Sequence, residues 1–245
     1  MNRIALKTNS TCNVENSKPA SLRRRFGNMV CGIALAMVVA GPAMAGPTGG
    51  EVVAGDGSIT SGGNLTQINQ NSNRIAINWE TFNVAADETV RFVQPTSTSV
   101  ALNRIFDQNA SQIFGTIDAN GRVLLINPNG MIFGPTAQVN VAGLVASSLN
   151  ISTTDFMAGN YTFDAATGSA GMVLNQGSLQ ATPGGFIALL GEAVANEGLI
   201  VADAGTIAMG AGTKVALDFD GSGLIFFEVE SEILDAALGV DAAVS

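Results

Sequence analysis

The sequence predicts an all-β protein wound as a parallel β-helix, a solenoid with coils of about 20 residues. Three observations carry this. Short alternating apolar runs are separated by Gly, Asn and Asp throughout, and helix signals are scarce. A repeat is present: Val173-Leu-Asn-Gln-Gly-Ser-Leu179 is answered by Val194-Ala-Asn-Glu-Gly-Leu-Ile200, with matched residues 21 apart. Gly185-Phe-Ile-Ala188 is answered 20 residues later by Gly205-Thr-Ile-Ala208, and Val194 by Val215 after 21. Such a period is too short for a helix pair and fits one coil of three short strands, each coil lying on the last. Finally, both cysteines, Cys12 and Cys31, lie near the N-terminus. The rest of the chain must hold together without a disulfide, as a solenoid can by pairing its backbone coil to coil.

Residues 1–45 read as a cleaved secretory signal. Arg23-Arg24-Arg25 is a basic region, Met29 to Ala40 a short apolar run, and Ala43-Met44-Ala45 a small-x-small cleavage site at Ala43 and Ala45. The apolar run is shorter than the ~20 residues that a spanning helix needs, so no membrane insertion is expected. Cleavage after Ala45 leaves residues 46–245 as one domain, expected to be the N-terminal part of a longer exported protein.

The strands follow in order. Glu51 to Ala54 and Ser58 to Thr60 flank Gly55-Asp56-Gly57, a hairpin signal. Leu65 to Gln70 is a polar strand. In Arg74 to Trp79, Ile75, Ile77 and Trp79 share one face, which places Trp79 in the core. Thr89 to Val93, Val100 to Ile105 and Ser111 to Ile117 come next. The irregular strands from 46 to about 105 are expected to form a cap over the first coil, because an open solenoid end invites edge pairing. Val123 to Ile126 is an apolar strand stopped by Asn127-Pro128-Asn129-Gly130, a tight turn with Pro at its second position and Gly at its fourth. Ala137 to Val141 and Gly143 to Ser147 resume the pattern. Asp155 to Thr167, with Phe156, Tyr161 and Phe163, interrupts it as a β excursion outside the solenoid. Asn175, Gly177, Asn196 and Gly198 then form stacked corners, and Leu224 to Glu230 alternates again.

The residues present exclude much chemistry. There is no histidine, and no cysteine beyond residue 31, so imidazole relays, thiolate nucleophiles and histidine-ligated zinc are absent. The mature chain keeps 5 basic and 19 acidic residues, a net charge of −14, which repels phosphate backbones and anionic lipid. Nucleic acid is therefore not an expected partner. Asp218-Phe-Asp-Gly-Ser-Gly223 lacks the later ligands of a calcium loop and reads as a turn. Beyond residue 45, four Asn-x-Ser/Thr triplets, at Asn64, Asn109, Asn150 and Asn160, are attributed to chance and corner roles in an Asn-rich chain. No catalytic residue, cofactor or metal site is expected. A polysaccharide-active β-helix would need clustered Asp with Arg or Lys, and the stretch from Val173 to Val215 offers only Lys214.

Several segments carry a resemblance: Ile75 to Trp79 with Phe82-Asn-Val84, Thr89-Val-Arg-Phe92, Val100 to Arg104, Gln138 to Ala146, and above all Leu125-Ile-Asn-Pro-Asn-Gly130. With these residues the chain resembles the N-terminal secretion domain of filamentous-haemagglutinin-like two-partner secretion exoproteins of Gram-negative bacteria, from about Val52 to Leu224. No Asn-Pro-Asn-Leu motif precedes Asn127, which places the chain nearer the high-molecular-weight-adhesin branch. The resemblance implies a right-handed β-helix with an N-terminal cap. It also implies recognition by the periplasmic domains of a partner outer-membrane transporter, and export through the periplasm to the cell surface or medium. Host glycans or receptors are expected to be bound by a downstream passenger; direct adhesion by this domain is the alternative. Asn127, Pro128, Asn129 and Gly130 are either a corner that fixes the coil or a direct transporter contact, with the corner favoured. Docking is expected through strand addition or through exposed apolar and polar edges, with candidates from Leu65 to Trp79.

Overall fold

The computed structural model describes residues 46–165, 171–217 and 225–228. Two strands open it, β1 (Glu51–Ala54) and β2 (Gly57–Gly62). Six turns of parallel solenoid follow. The first holds β3 (Leu65–Gln70) and β4 (Arg74–Trp79) and ends at Val84, which bridges Ile113. The second holds β5 (Thr89–Val93), β6 (Val100–Ile105) and β7 (Ser111–Ile113). The third holds β8 (Thr116–Ala119), β9 (Arg122–Ile126) and β10 (Met131–Phe133). In the fourth, β11 (Gln138–Ser147) runs along two faces. The chain then leaves the solenoid as helix α1 (Thr153–Ala158) and β12 (Tyr161–Asp164), and β13 (Met172–Asn175) completes the turn. β14 (Ser178–Gly191) with β15 (Ala193–Asn196), then β16 (Leu199–Ala202) with β17 (Thr206–Ala211), form the last two. β18 (Lys214–Leu217) and β19 (Ile225–Glu228) lie off the solenoid.

Three parallel ladders make the faces. β3, β5, β8, the start of β11, the start of β14, and β16 stack on the first. β4, β6, β9, the ends of β11 and β14, and β17 stack on the second. β7, β10, β13 and β15 make the third. Alternation along each strand sends every second residue inward. The result is a column of like residues: Ile75, Ala101, Val123, Leu144 and Ile187 stand one above another, all fully buried. At the sixth turn this column reaches Ile207 and its neighbour reaches Met209, which are 48% and 43% exposed.

One inward residue of β6 is polar. Asn103 is fully buried; its Oδ1 accepts from Trp79 Nε1 at 2.9 Å and its Nδ2 donates to Leu124 O at 3.2 Å. Trp79 occupies the core as the alternation requires, edge-to-face with Phe82 at 5.4 Å. Asn103→Ala strands the indole N–H and a backbone carbonyl inside the solenoid. It is expected to lower stability by about 2 kcal/mol, read from the urea midpoint. Asn103→Gln, which keeps both groups, should lose less.

The outer side of the second face is buried too. Ala76, Leu102, Leu124 and Val145 form one cluster with Leu149, Ile151, Phe156, Tyr161 and Phe163 of the excursion. This explains why Val123 to Ile126 reads as an unbroken apolar run: a strand covered on both faces needs no polar side.

Five expectations are corrected. Glu51–Ala54 and Gly57–Gly62 do not form a hairpin; β1 pairs antiparallel with β4, and β2 pairs antiparallel with β3. The turn at Gly55 (φ 84°) instead carries the chain between faces, passing so close to Arg74 O that an added Cβ would lie 2.3 Å away. The cap is therefore only β1 and β2. The strands from Leu65 onward already belong to the solenoid, and Ser111 to Ile117 is broken into β7 and β8 at a corner. The excursion starts as a helix: the Ser152 side chain accepts from Asp155 N–H, and Gly159 (φ 86°) closes the end. Last, Val215 does not continue the ladder of Val194; it pairs antiparallel with Phe163.

Candidate functional site

The Asn-Pro-Asn-Gly stretch forms the corner between the second and third faces, joining β9 to β10. The turn closes by Gly130 N–H donating to Asn127 O at 2.9 Å. Gly130 has φ 100°, and an added Cβ would lie 2.7 Å from Met172 O, so both backbone conformation and space demand glycine. Asn127 is fully buried. Its Oδ1 accepts from Asn129 N–H at 2.9 Å, and its Nδ2 donates to Asn109 O and Ser111 Oγ, both at 3.0 Å. Those acceptors belong to the preceding coil. Asn129 is exposed, yet its Nδ2 donates to Asp107 O at 2.7 Å, again one coil back. Pro128 is half-buried between them. The two asparagines thus fasten the third coil to the second.

The repeat corners lie elsewhere, where the third face returns to the first. Asn175 is buried and pairs in register with Asn196, 21 residues on; its Nδ2 donates to Asn196 Oδ1 at 2.7 Å. Each asparagine also accepts from the glycine two residues later, Gly177 N–H at 3.1 Å and Gly198 N–H at 3.3 Å. An added Cβ on Gly198 would lie 2.2 Å from Gly177 O, so coil spacing keeps this column small. The structure does not bring these corners together with Asn127 to Gly130. Ala43 and Ala45, and Asp218 to Gly223, lie outside the described residues.

Beside the Asn-Pro-Asn-Gly corner, Phe106 is 54% exposed and Arg104 stacks on its ring at 5.3 Å. Arg104 Nη1 also donates to Thr153 Oγ1 at 3.2 Å, and burial pushes its guanidinium below the ordinary arginine value. Sequence reading missed this arginine and the Ser152-Thr-Thr-Asp155 start of α1, a capping pattern visible in the chain.

Chemically the surface is spare. Among the described residues no group of three or more His, Cys, Asp or Glu could hold a metal ion. No helix among them is long and apolar enough to cross a membrane. Arg91 and Asp118 form an exposed pair at 3.7 Å, which contributes little. What the fold does offer is backbone. β3 and β4 have both edges occupied, by β2 and β5 and by β1 and β6, so the strand addition expected within Leu65 to Trp79 has no free edge there. Among the described residues, the free edges at this end belong to β1 and β2.

Comparisons with known proteins agree with this architecture. A family model described as the TPS secretion domain matches residues 43–231. A heme/hemopexin-binding protein of Haemophilus influenzae is 38% identical over 158 residues, covering 62% of this chain and 17% of that protein. A second Haemophilus influenzae protein of the same description is 40% identical over 100 residues, covering 41% and 11%. The matched part is thus less than a fifth of either relative. Among solved structures, the HMW1 secretion domain from Haemophilus influenzae superposes with a TM-score of 0.71 at 34% identity, covering 75% of this chain and 50% of that one. The filamentous hemagglutinin secretion domain superposes at 0.52 with 18% identity, covering 76% and 69%, a likeness of fold. Because the family model spans the whole of the described solenoid, this chain belongs to the TPS (two-partner secretion) secretion-domain family.

Proposed function

We propose that this chain is the non-enzymatic secretion module of a haemagglutinin-like adhesin. In this reading it enters the periplasm after cleavage following Ala45. The periplasmic domains of a paired outer-membrane transporter recognise it and pass it to the cell surface or medium. The observation that carries the reading is the family match across residues 43–231, on a solenoid whose described residues present backbone edges rather than reactive side chains. Physical chemistry supports it. A chain that crosses a pore unfolded must not be stapled, and no cysteine lies beyond residue 31. A solenoid can fold coil by coil on emergence, since each coil contacts only its neighbours.

Within this reading, Asn127, Pro128, Asn129 and Gly130 act as a coil corner, supported by bonds that run to the preceding coil and not to solvent. The transporter docks by adding a strand to the edge of β1 or β2 that no strand of the described residues occupies. Asn175, Gly177, Asn196 and Gly198 hold the later coils in register. Binding of host glycans, receptors or a heme-carrying protein is assigned to the passenger of the longer exoprotein. This domain has no histidine and no cysteine beyond residue 31 to ligate iron, and its single tyrosine, Tyr161, is buried.

The test is export of this chain from cells with and without the paired transporter, probing periplasm and medium. The chain should reach the medium only with the transporter. Retention of folded, processed chain in the periplasm in both cases would sink the proposal. Binding of residues 46–245 to host cells or glycans would instead favour direct adhesion.

A further inference from the structure

We propose that residues 149–165 form a strap that closes over the second face only when residues 213–217 have joined the structure, so that closure reports completion of the solenoid. The reasoning starts from where the strap finds its partners. Its apolar side chains, Leu149, Ile151, Phe156, Tyr161 and Phe163, share one buried cluster with Ala76, Leu102, Leu124 and Val145 of the first four coils. Those coils precede the strap or carry it, so the wall it covers exists before β18 does.

The backbone tells a different story. β12 does not join the sheet of that wall. It pairs along its full length with β18: Tyr161 with Leu217, Thr162 with Ala216, Phe163 with Val215 and Asp164 with Lys214. Ala165 N–H donates to Thr213 O at 2.7 Å. Val215 and Leu217 also supply apolar side chains to the shared cluster, together with Ala188, Leu190 and Ala208 of the last two coils. Without β18 the strap keeps a bridge within itself, Asn150 to Asp164. Its side-chain ties to the first two coils include Arg74 Nε to Tyr161 Oη at 3.3 Å and Arg104 Nη1 to Thr153 Oγ1 at 3.2 Å. Helix α1 spans only six residues, well short of the roughly 12–15 at which a helix is even marginal alone. Backbone groups of β12 would then lie against an apolar wall with no acceptor or donor, which disfavours the closed position.

The consequence is an order. Coils one to six stack first, and the outer side of the second face stays bare until residues 213–217 arrive and clamp the strap. The dependence stands apart from the export reading. Its use, holding a chain in an open state until the solenoid is complete, rests on that reading. The purified chain tests the dependence, so its failure is distinguishable from failure of export.

Two variants of the full chain are informative. Val215→Asp places a carboxylate at a position that is 1% exposed, and Ala216→Pro removes an N–H from the centre of β18. Both should keep the far-UV β signal and the cooperative unfolding of the solenoid. Limited proteolysis should cut within 149–165 about 10-fold faster than in the parent, and binding of an apolar-surface dye should rise. The register pair Thr162→Cys with Ala216→Cys, in a chain otherwise free of cysteine there, should slow that cleavage when oxidised and restore it when reduced. Unchanged cleavage in both β18 variants would mean that the wall alone holds the strap, and the proposal fails. Loss of the whole β signal would mean that strap and coils are one unit, and the proposal fails equally.

Discussion

Asn127→Ala is expected to lower the unfolding free energy by about 3 kcal/mol, while Asn129→Ala costs under about 1 kcal/mol. The difference follows from burial. Asn127 is fully enclosed and its amide makes three bonds: to Asn109 O, to Ser111 Oγ, and from Asn129 N–H. Truncation leaves those groups without partners in a place water does not reach. Asn129 makes one side-chain bond, to Asp107 O, at an exposed position where water replaces it. Urea denaturation gives both numbers, and export of the same variants gives their meaning. Under the corner reading, export falls with stability: Asn127→Ala is poorly secreted and Asn129→Ala is secreted like the parent. An Asn129 variant that is fully stable yet not exported would overturn that reading and make the exposed side chain a transporter contact.

Gly185→Ala should be among the most damaging methyls that can be added to the later coils. Gly185 opens the second-face segment of β14, and its Cβ would lie 2.2 Å from Ala142 O of the coil below and 2.8 Å from Thr182 O. Both neighbours are backbone, so neither can turn aside, and the coil must lift off its partner. A loss of about 3 kcal/mol, seen as a fall in Tm of roughly 10 °C, is expected for a chain of this size. Gly62→Ala is the control: nothing lies within 4 Å of its added Cβ, and it should shift stability by under about 0.5 kcal/mol. Equal effects at the two sites would show that conformational freedom, and not coil contact, explains the glycines.

Legibility tracked how strictly each coil repeats. From Val173 to Ala208 the coils are nearly the same length and stack like on like, as Asn175 on Asn196 and Ile187 on Ile207 do, so the period can be counted. The earlier coils repeat at longer and unequal spacings. Gln94 Nε2 donates to Gln70 Oε1 across 24 residues, and Gln94 N–H to Asn120 Oδ1 across 26. No residue pattern survives that drift, so nothing in the sequence separates the first coil from a cap. The Asn-Pro-Asn-Gly corner was readable as a turn because its residue types are local demands: Pro for its fixed φ, Gly130 for a left-handed one. The bonds from Asn127 to the preceding coil were not readable, because they depend on which residues the stacking brings below it.

The sequence by itself determined the class of fold, the buried side of β4, the later coil period and the absence of histidine. Those properties are written in residue type and spacing within a few neighbours along the chain. Only the tertiary structure decided where the cap ends, that Val215 clamps an excursion instead of extending a coil, and that the second face is dry on both sides. Each of these is a pairing between segments far apart in the chain, and such pairings are selected by packing and by the need to satisfy backbone groups, not by the propensity of either segment alone.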